Sequence, residues 1–489
     1  MALTSFTRAW ILGFAVLMLF AWRISKIGRR PKDYPPGPPT LPLIGNLHQM
    51  PKNNGHLQFQ KWAEEYGSIY SLILGSKVVI VLSSDVAVKD LLDKRSAIYS
   101  SRPEFYLGQE ILSGNLRPLF MARIWQYMAY VARSYVPYQD LENKAMLTGF
   151  LDQPQDFISH IRRYTTSLTT QMTFGYRTPT SDDPNLVEMF ENFERLSELA
   201  GTQPCCCIDL IRVQKELGFS DELACYMSGS LLQAGSETTS AILIGFFQAM
   251  LLFPEVAKEA QAEIDRVCGD RMPDLNDVPD LPFIRGCMKE SLRWMPAAVL
   301  GVPHAVVQDD EYRGYHIPKG AAVIFNVWAI HNDPKRHPDP RRYNPSRWAG
   351  DSQNSAQAAV NADVTKRDHF VFGAGRRMCQ GMHIADRSLF LAMSRTLWAF
   401  DIKRAVDETT GQEIVPDVDN IVDGLFVCPR PFKANLVPRS QRKVARVREE
   451  WAKMLDLLDE SKQWKTVPEG LKWKDYESLS DNEEPAESM

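Results

Sequence analysis

Apolar and polar positions change period several times along the chain, and each change predicts an element. From Ala9 to Trp22 no residue is charged, and the run reads as one apolar helix. These 14 residues reach about 21 Å at 1.5 Å per residue, short of the ~30 Å hydrocarbon core of a bilayer. Trp10 and Trp22 bracket the run as interfacial anchors do, Arg8 can lengthen it by snorkelling, and Arg23, Lys26, Arg29, Arg30 and Lys32 lie after it. A signal-peptide core is the competing reading, but no small-x-small cleavage site comes after the run. The pattern therefore predicts a retained anchor over residues 1–30 with the bulk of the chain on the cytoplasmic side.

Beyond the basic flank, YPPGPPTLPLIGNL (Tyr34 to Leu47) is rich in proline, which forbids helix and predicts a stiff extended spacer. The β-branched run from Ser71 to Ser84 with its central Gly-Ser predicts a hairpin. Most of the remaining chain has helical period. Asn185 to Gly201 places Val187, Phe190, Phe193 and Leu196 on one face, and Met227 to Leu251 is apolar almost all round, which predicts a buried central helix. Past Arg439, Val447, Trp451, Met454 and Leu458 form one stripe ahead of an acidic end. The expected organisation is an anchor over 1–30, a mainly α globule with small β-sheets over 31–440, and an amphipathic helix with a tail over 441–489.

Composition narrows the function. Lys and Arg number 56 against 60 Asp and Glu, so nothing in the charge balance points to nucleic acid. Eight cysteines occur, three of them adjacent at 205–207 and none in a CxxC pair, which speaks against a structural zinc site and for a reduced compartment.

Three stretches carry candidate chemistry. FVFGAGRRMCQG (Phe370 to Gly381) surrounds Cys379 with glycines and arginines. Glycine there implies close backbone approach or positive φ, and positive charge favours thiolate, so the loop offers a sulfur anion to a flat metal cofactor. AGSETT (Ala234 to Thr239) puts Gly235, Glu237 and Thr238 inside the apolar helix. An acid beside an alcohol suits proton delivery to a bound oxygen species, and a helix bend with a satisfied acid is the structural alternative. FIRGCMKESLRWMP places Glu290 and Arg293 on one helix face, and HPDPRRYNPSRW presents Arg347 as a second partner for the same glutamate.

Together these stretches resemble the cytochrome P450 family. Phe372, Gly375, Arg377, Cys379 and Gly381 fall in register with its haem-binding signature, AGSETT with its oxygen-activating helix, and Glu290-x-x-Arg293 with its ion pair. The PPGPP hinge and the PxRW-like loop stand in the expected order. Tyr34 to Arg439 is covered, and the likeness extends to fungal secondary-metabolism members of the O-methylsterigmatocystin oxidoreductase kind. The resemblance implies haem (iron protoporphyrin IX) with Cys379 as axial iron ligand and Phe372 beside it. Arg377 and His304 would contact the propionates, although His304 also reads as a plain core or surface histidine. His383, four residues after Cys379, reads as packing or as half of a Cys/His metal pair. Glu237 and Thr238 would relay protons, and Glu290, Arg293 and Arg347 would lock the haem-binding core. Ala234, Gly235, Ala297, Leu300, Leu425 and Phe426 would line the substrate pocket. The implied partners are dioxygen, a lipophilic substrate, a membrane (that of the endoplasmic reticulum) and NADPH-cytochrome P450 reductase, with Arg376, Lys366 and Arg367 on its docking face.

Two departures stand out. The family's early helix carries a tryptophan and an arginine four residues on; here the residue four after Trp125 is Ala129, with Arg123 as a possible substitute. After Gly201 only TQPCCC precedes Ile208, too little for the second roof helix of the substrate pocket. An open roof predicts uncoupled turnover. The competing expectations are a haem-thiolate isomerase or dehydratase and an impaired, truncated P450-like protein.

Overall fold

The computed structural model describes residues 2–111, 113–120, 135–180, 210, 214, 218–422, 424, 426–469 and 471. The helix expected over Asn185 to Gly201, the Trp125 region and Leu425 lie outside them. The chain forms two compact units: residues 1–104, 298–338 and 373–377 make the first, and residues 105–297, 339–372 and 378–489 the second. This partition cuts across the expected boundaries at 30 and 440.

The first unit is built on a four-stranded sheet. Ile69–Leu74 and Lys77–Leu82 form the expected hairpin, turning at Gly75 with φ 63°. Lys77–Leu82 then pairs in parallel with Ala322–Phe325, whose other edge takes His304–Ala305. Alternation puts Tyr70, Leu72, Val79 and Val81 on one face, where Phe59 and Trp62 of the Gly55–Tyr66 helix cover them. The proline-rich stretch is no free spacer. Arg30 donates to the carbonyls of Gly37 (2.7 Å), Pro38 (2.9 Å) and Ser71 (2.9 Å) and to Ser71 Oγ (2.9 Å), fastening the stretch to the first strand. Gly37 is needed there, since a Cβ would stand 2.2 Å from the Ser71 carbonyl oxygen. Ahead of it Ala2–Lys26 is one helix whose apolar side chains from Trp10 to Phe20 are exposed. Among the described residues no single helix is long and apolar enough to cross a membrane.

The second unit is mainly helical, with two-stranded sheets pairing Phe400–Arg404 with Ala434–Pro438 and Ile421–Val422 with Cys428–Pro429. Its central helix runs unbroken from Asp221 to Leu252, capped by Ser220 Oγ accepting from Leu223 N–H. It is fully buried only from Ser240 to Leu251; the half carrying AGSETT is partly open. The Phe157–Phe174 helix lies against that half: Thr165 Oγ1 donates to the Ser236 carbonyl at 2.8 Å.

The C-terminal helix Gln441–Leu455 carries Val447, Trp451 and Met454 of the expected stripe, and Leu458 lies past its end. Val447 is fully buried, and Trp451, Met454 and Leu458 join Tyr135, Tyr138 and Leu168 in one cluster. Trp464 completes it, donating from Nε1 to Gln171 Oε1 at 2.7 Å. Trp464→Ala should therefore destabilise the protein by about 3 kcal/mol, through the cavity and the orphaned amide together. Chemical denaturation should register that loss, and Trp10→Ala, which removes an exposed ring, should leave the midpoint in place.

Candidate active site

Cys379 sits where the loop folds back on itself: its N–H donates to the Phe372 carbonyl at 2.7 Å. Cys379 is an exposed residue, although protein packs densely around its thiol. That packing pushes the thiol pKa upward, and the backbone N–H of Gly381 pulls it the other way. Gly381 has an ordinary φ of −83°, and a Cβ there would meet the sulfur only at 3.9 Å, so its contribution is its N–H rather than conformational freedom. The helix Met382–Ala399 then starts, leaving its first N–H groups facing the loop's end.

Within the first unit, Gly375 has φ 59°, and a Cβ would stand 1.9 Å from the Leu92 carbonyl oxygen, so no other residue fits. Its N–H donates to Asp93 Oδ1 at 2.6 Å. In the same unit Arg377, His304 and Arg102 converge. Arg377 Nε donates to the Ser100 carbonyl (2.8 Å), Arg102 Nη1 to that of Pro303 (2.7 Å), and His304 Nδ1 meets that of Tyr99 (2.7 Å). Burial, then the charge of Arg102, pushes His304 down to about 3; burial, then Arg377, pushes Arg102 down to about 9. Crowded positive charge of this kind is complementary to carboxylates. Sequence reading missed Arg102: nothing in SRP (Ser101 to Pro103) points to His304, about 200 residues away, and only the pairing of strand with loop joins them.

In the second unit Glu290 and Arg293 have no exposed surface. Arg293 grips both carboxylate oxygens, Nε to Oε2 at 2.9 Å and Nη2 to Oε1 at 2.7 Å. Arg347 Nε joins at 3.3 Å, the second arginine expected on this glutamate. Trp348 Nε1 (3.1 Å) and the Asn344 N–H (2.9 Å) also donate to Glu290, two partners the sequence did not reveal.

The other expected residues are placed less uniformly. Glu237 is exposed, not a buried acid, and the helix around it is intact. Thr238 Oγ1 donates to the Ala234 carbonyl at 2.7 Å. Gly235 faces a helix rather than a pocket, because a Cβ would stand 2.7 Å from Thr169 Oγ1; Ala234 is exposed. Leu300 packs on the Phe59 and Trp62 cluster of the first unit. Ala297 and the segment after Phe426 do meet: the Val427 N–H donates to the Ala297 carbonyl at 2.7 Å. Arg367 leaves the expected docking face, being buried over the Phe370 ring at 4.3 Å, while Lys366 and Arg376 are exposed. Among the described residues no group of three His, Cys, Asp or Glu side chains forms a metal site, His383 included.

The chain matches the family described as Cytochrome P450 over residues 35–217 and 208–416. It is 65% identical to cytochrome P450 monooxygenase virE of Hypocrea virens, covering 99% of this chain and 100% of the relative. The chain belongs to the cytochrome P450 family. Cytochrome P450 monooxygenase fogE of Aspergillus ruber is 51% identical, covering 95% of this P450 and 98% of the relative. A solved structure of a zebra fish cytochrome P450 with abiraterone shares the fold at a TM-score of 0.66 and 22% identity, covering 79% of this chain and 100% of that one. This P450 is thus a monooxygenase with a haem cofactor. Taken unit by unit, the residues present suit haem: in the second an exposed cysteine on a tight loop, and in the first two arginines, Arg102 and Arg377, whose charge suits carboxylates.

The Hypocrea alignment spans 548 residues against 489 in this chain, so the relative carries internal segments that are shorter here. The two matched stretches meet at 208–217, next to the segment after Gly201 that is too short for a roof helix.

Glu290→Gln should cost about 3 kcal/mol or more in an unfolding titration, since it strands a buried guanidinium. For His304 the folded pKa lies below the unfolded 6.5, so the unfolded chain binds the extra proton and stability falls as pH drops below 6.5. At pH 5 that loss is about 2 kcal/mol, and His304→Gln should flatten the pH dependence of unfolding by that amount.

Proposed function

We propose that this P450 acts in fungal secondary metabolism, inserting one atom of dioxygen into a lipophilic organic substrate. Two electrons come from an NADPH-dependent cytochrome P450 reductase. The N-terminal helix holds the enzyme on the endoplasmic reticulum membrane with the globule facing the cytoplasm. What supports the reading most is the Cys379 loop, whose cysteine N–H is held by the Phe372 carbonyl, in a chain 65% identical to a fungal cytochrome P450 monooxygenase. The exposed apolar row from Trp10 to Phe20, with basic residues after it, supports the membrane attachment.

Cys379 would hold the haem iron through its sulfur, and Arg377, His304 and Arg102 would be the groups offered to its propionates. Bound haem supplies an iron centre at which a thiolate favours O–O cleavage. The rest falls to side chains. The Gly381 N–H stabilises the sulfur anion that ligation requires. Phe372 restricts water beside the sulfur. The Thr238 hydroxyl, whose proton goes to the Ala234 carbonyl, keeps its lone pairs to accept a proton, and the exposed Glu237 beside it exchanges protons with solvent. Glu290, Arg293 and Arg347 keep the Cys379 loop's surroundings from shifting. Ala297 and Phe426 flank the substrate.

Cys379→Ala should abolish the strongly red-shifted Soret band of the reduced, carbon-monoxide-bound protein; a retained band would refute ligation by this sulfur. With reductase and NADPH, Thr238→Ala should lower product formation by roughly a hundredfold while NADPH consumption continues. Unchanged product yield would remove Thr238 from the proton path.

A further inference from the structure

Behind the Cys379 loop, wholly inside the second unit, lies a buried polar chain that the proposed reaction does not use. It begins at Lys289, the neighbour of Glu290, whose ammonium contacts Asp351 (2.6 Å) and Asp368 (3.1 Å). Lys289 and Asp368 are both 1% exposed, so each needs the other. Asp368 also accepts from the N–H of His369 at 2.8 Å, which fixes the chain just where it enters the loop. Past the loop, Asp386 on the Met382–Ala399 helix accepts from Ser355 twice, at Oγ (2.6 Å) and at N–H (3.0 Å). Ser355 Oγ lies 3.3 Å from His369 Nε2.

His369 is therefore the piece that closes the chain. The single proton of Ser355 Oγ goes to Asp386 at the shorter contact, so His369 must donate from Nε2. Asp368 Oδ1, 3.4 Å from the same nitrogen, is likewise only an acceptor. Both neighbours demand one tautomer, with the proton on Nε2 and a bare Nδ1, and Nδ1 is buried without a partner. The imidazole meets the Phe372 ring edge-on, 5.2 Å between centroids at 69°. Arg367 Nε donates to the His369 carbonyl at 3.2 Å, holding the backbone as well. Phe372 in turn supplies the carbonyl that receives the Cys379 N–H. An imidazole locked by its neighbours thus stands close in sequence to the carbonyl that orients the sulfur's backbone.

We propose that His369 is a positioning residue for the Cys379 sulfur, clamping the entry of the loop to its exit through Ser355 and Asp386. The proposal rests on Cys379 being the iron ligand for its effect on the reaction, though not for its effect on the loop. His369→Ala removes the clamp; His369→Gln keeps a buried N–H donor that can reach Ser355.

Two measurements test it. In the haem-free protein, amide hydrogen exchange of the Phe370–Gly381 peptide should quicken by about tenfold in His369→Ala, the loss of one hydrogen bond's worth of order, and return towards the parent in His369→Gln. In the haem-loaded protein the midpoint potential and Soret position should move with His369→Ala and recover with His369→Gln. If His369→Ala keeps the parent's melting temperature, exchange rate and potential, the clamp does not exist. Should His369→Ala fail to fold, Ser355→Ala, which cuts the same chain at its other member, decides: faster exchange supports the clamp and parental exchange overturns it. A parent lacking the thiolate-type spectrum would sink the ligation and leave the exchange result standing, so the two failures are told apart.

Discussion

One carboxylate with no exposed surface organises the second unit. Glu290 cannot be left ionised in the interior without compensation, and four donor residues from two stretches of chain gather on its two oxygens. Because Arg293 is on its own helix while Asn344, Arg347 and Trp348 come from the proline-rich loop and the short turn that ends it, the charge imposes an order that no backbone ladder could supply there. The same helix extends the arrangement through the adjacent Lys289 to the residues that enter the Cys379 loop. Helix, loop and sulfur are consequently parts of one electrostatic construction. A mutation that is harmless by volume becomes costly wherever it strands one of its charges.

How much of this was legible in the chain depended on whether the signal was local. The hairpin around Gly75, the Pro282–Trp294 helix and the C-terminal stripe were readable because period and turn chemistry are written in neighbouring residues. The Glu290 pair with Arg293 was readable for the same reason, and Arg347 came from the family pattern. Arg102 was not, since only tertiary pairing brings it to His304. Asn344 contributes through its backbone, which has no sequence signature at all. Burial was the part that residue type could not supply. Glu237 and Gly235 were read from their types within an apolar helix, but what a helical residue faces is decided by what packs on it: Glu237 is exposed, and Thr165 and Thr169 lie against Ser236 and Gly235.

The C-terminal segment shows the opposite economy. The matched family stretch ends at residue 416, yet Trp464 and Leu458 complete the cluster that seats Leu168 of the Phe157–Phe174 helix. That helix is the one on which AGSETT rests. A segment with no chemistry of its own thus takes part in the register of residues assigned to proton transfer.

Near the other terminus, the N-terminal helix does not hang from a tether. Its last turn passes straight into bonds between Gly28 N–H and the Gly75 carbonyl and between Leu43 N–H and the Ile27 carbonyl, and Arg30 secures the proline-rich stretch next to it. The helix and the sheet behind it share one frame, as a mast shares the frame of its hull. Whatever surface takes up the exposed row from Trp10 to Phe20 thereby fixes the heading of that sheet too, with little freedom left for swivelling.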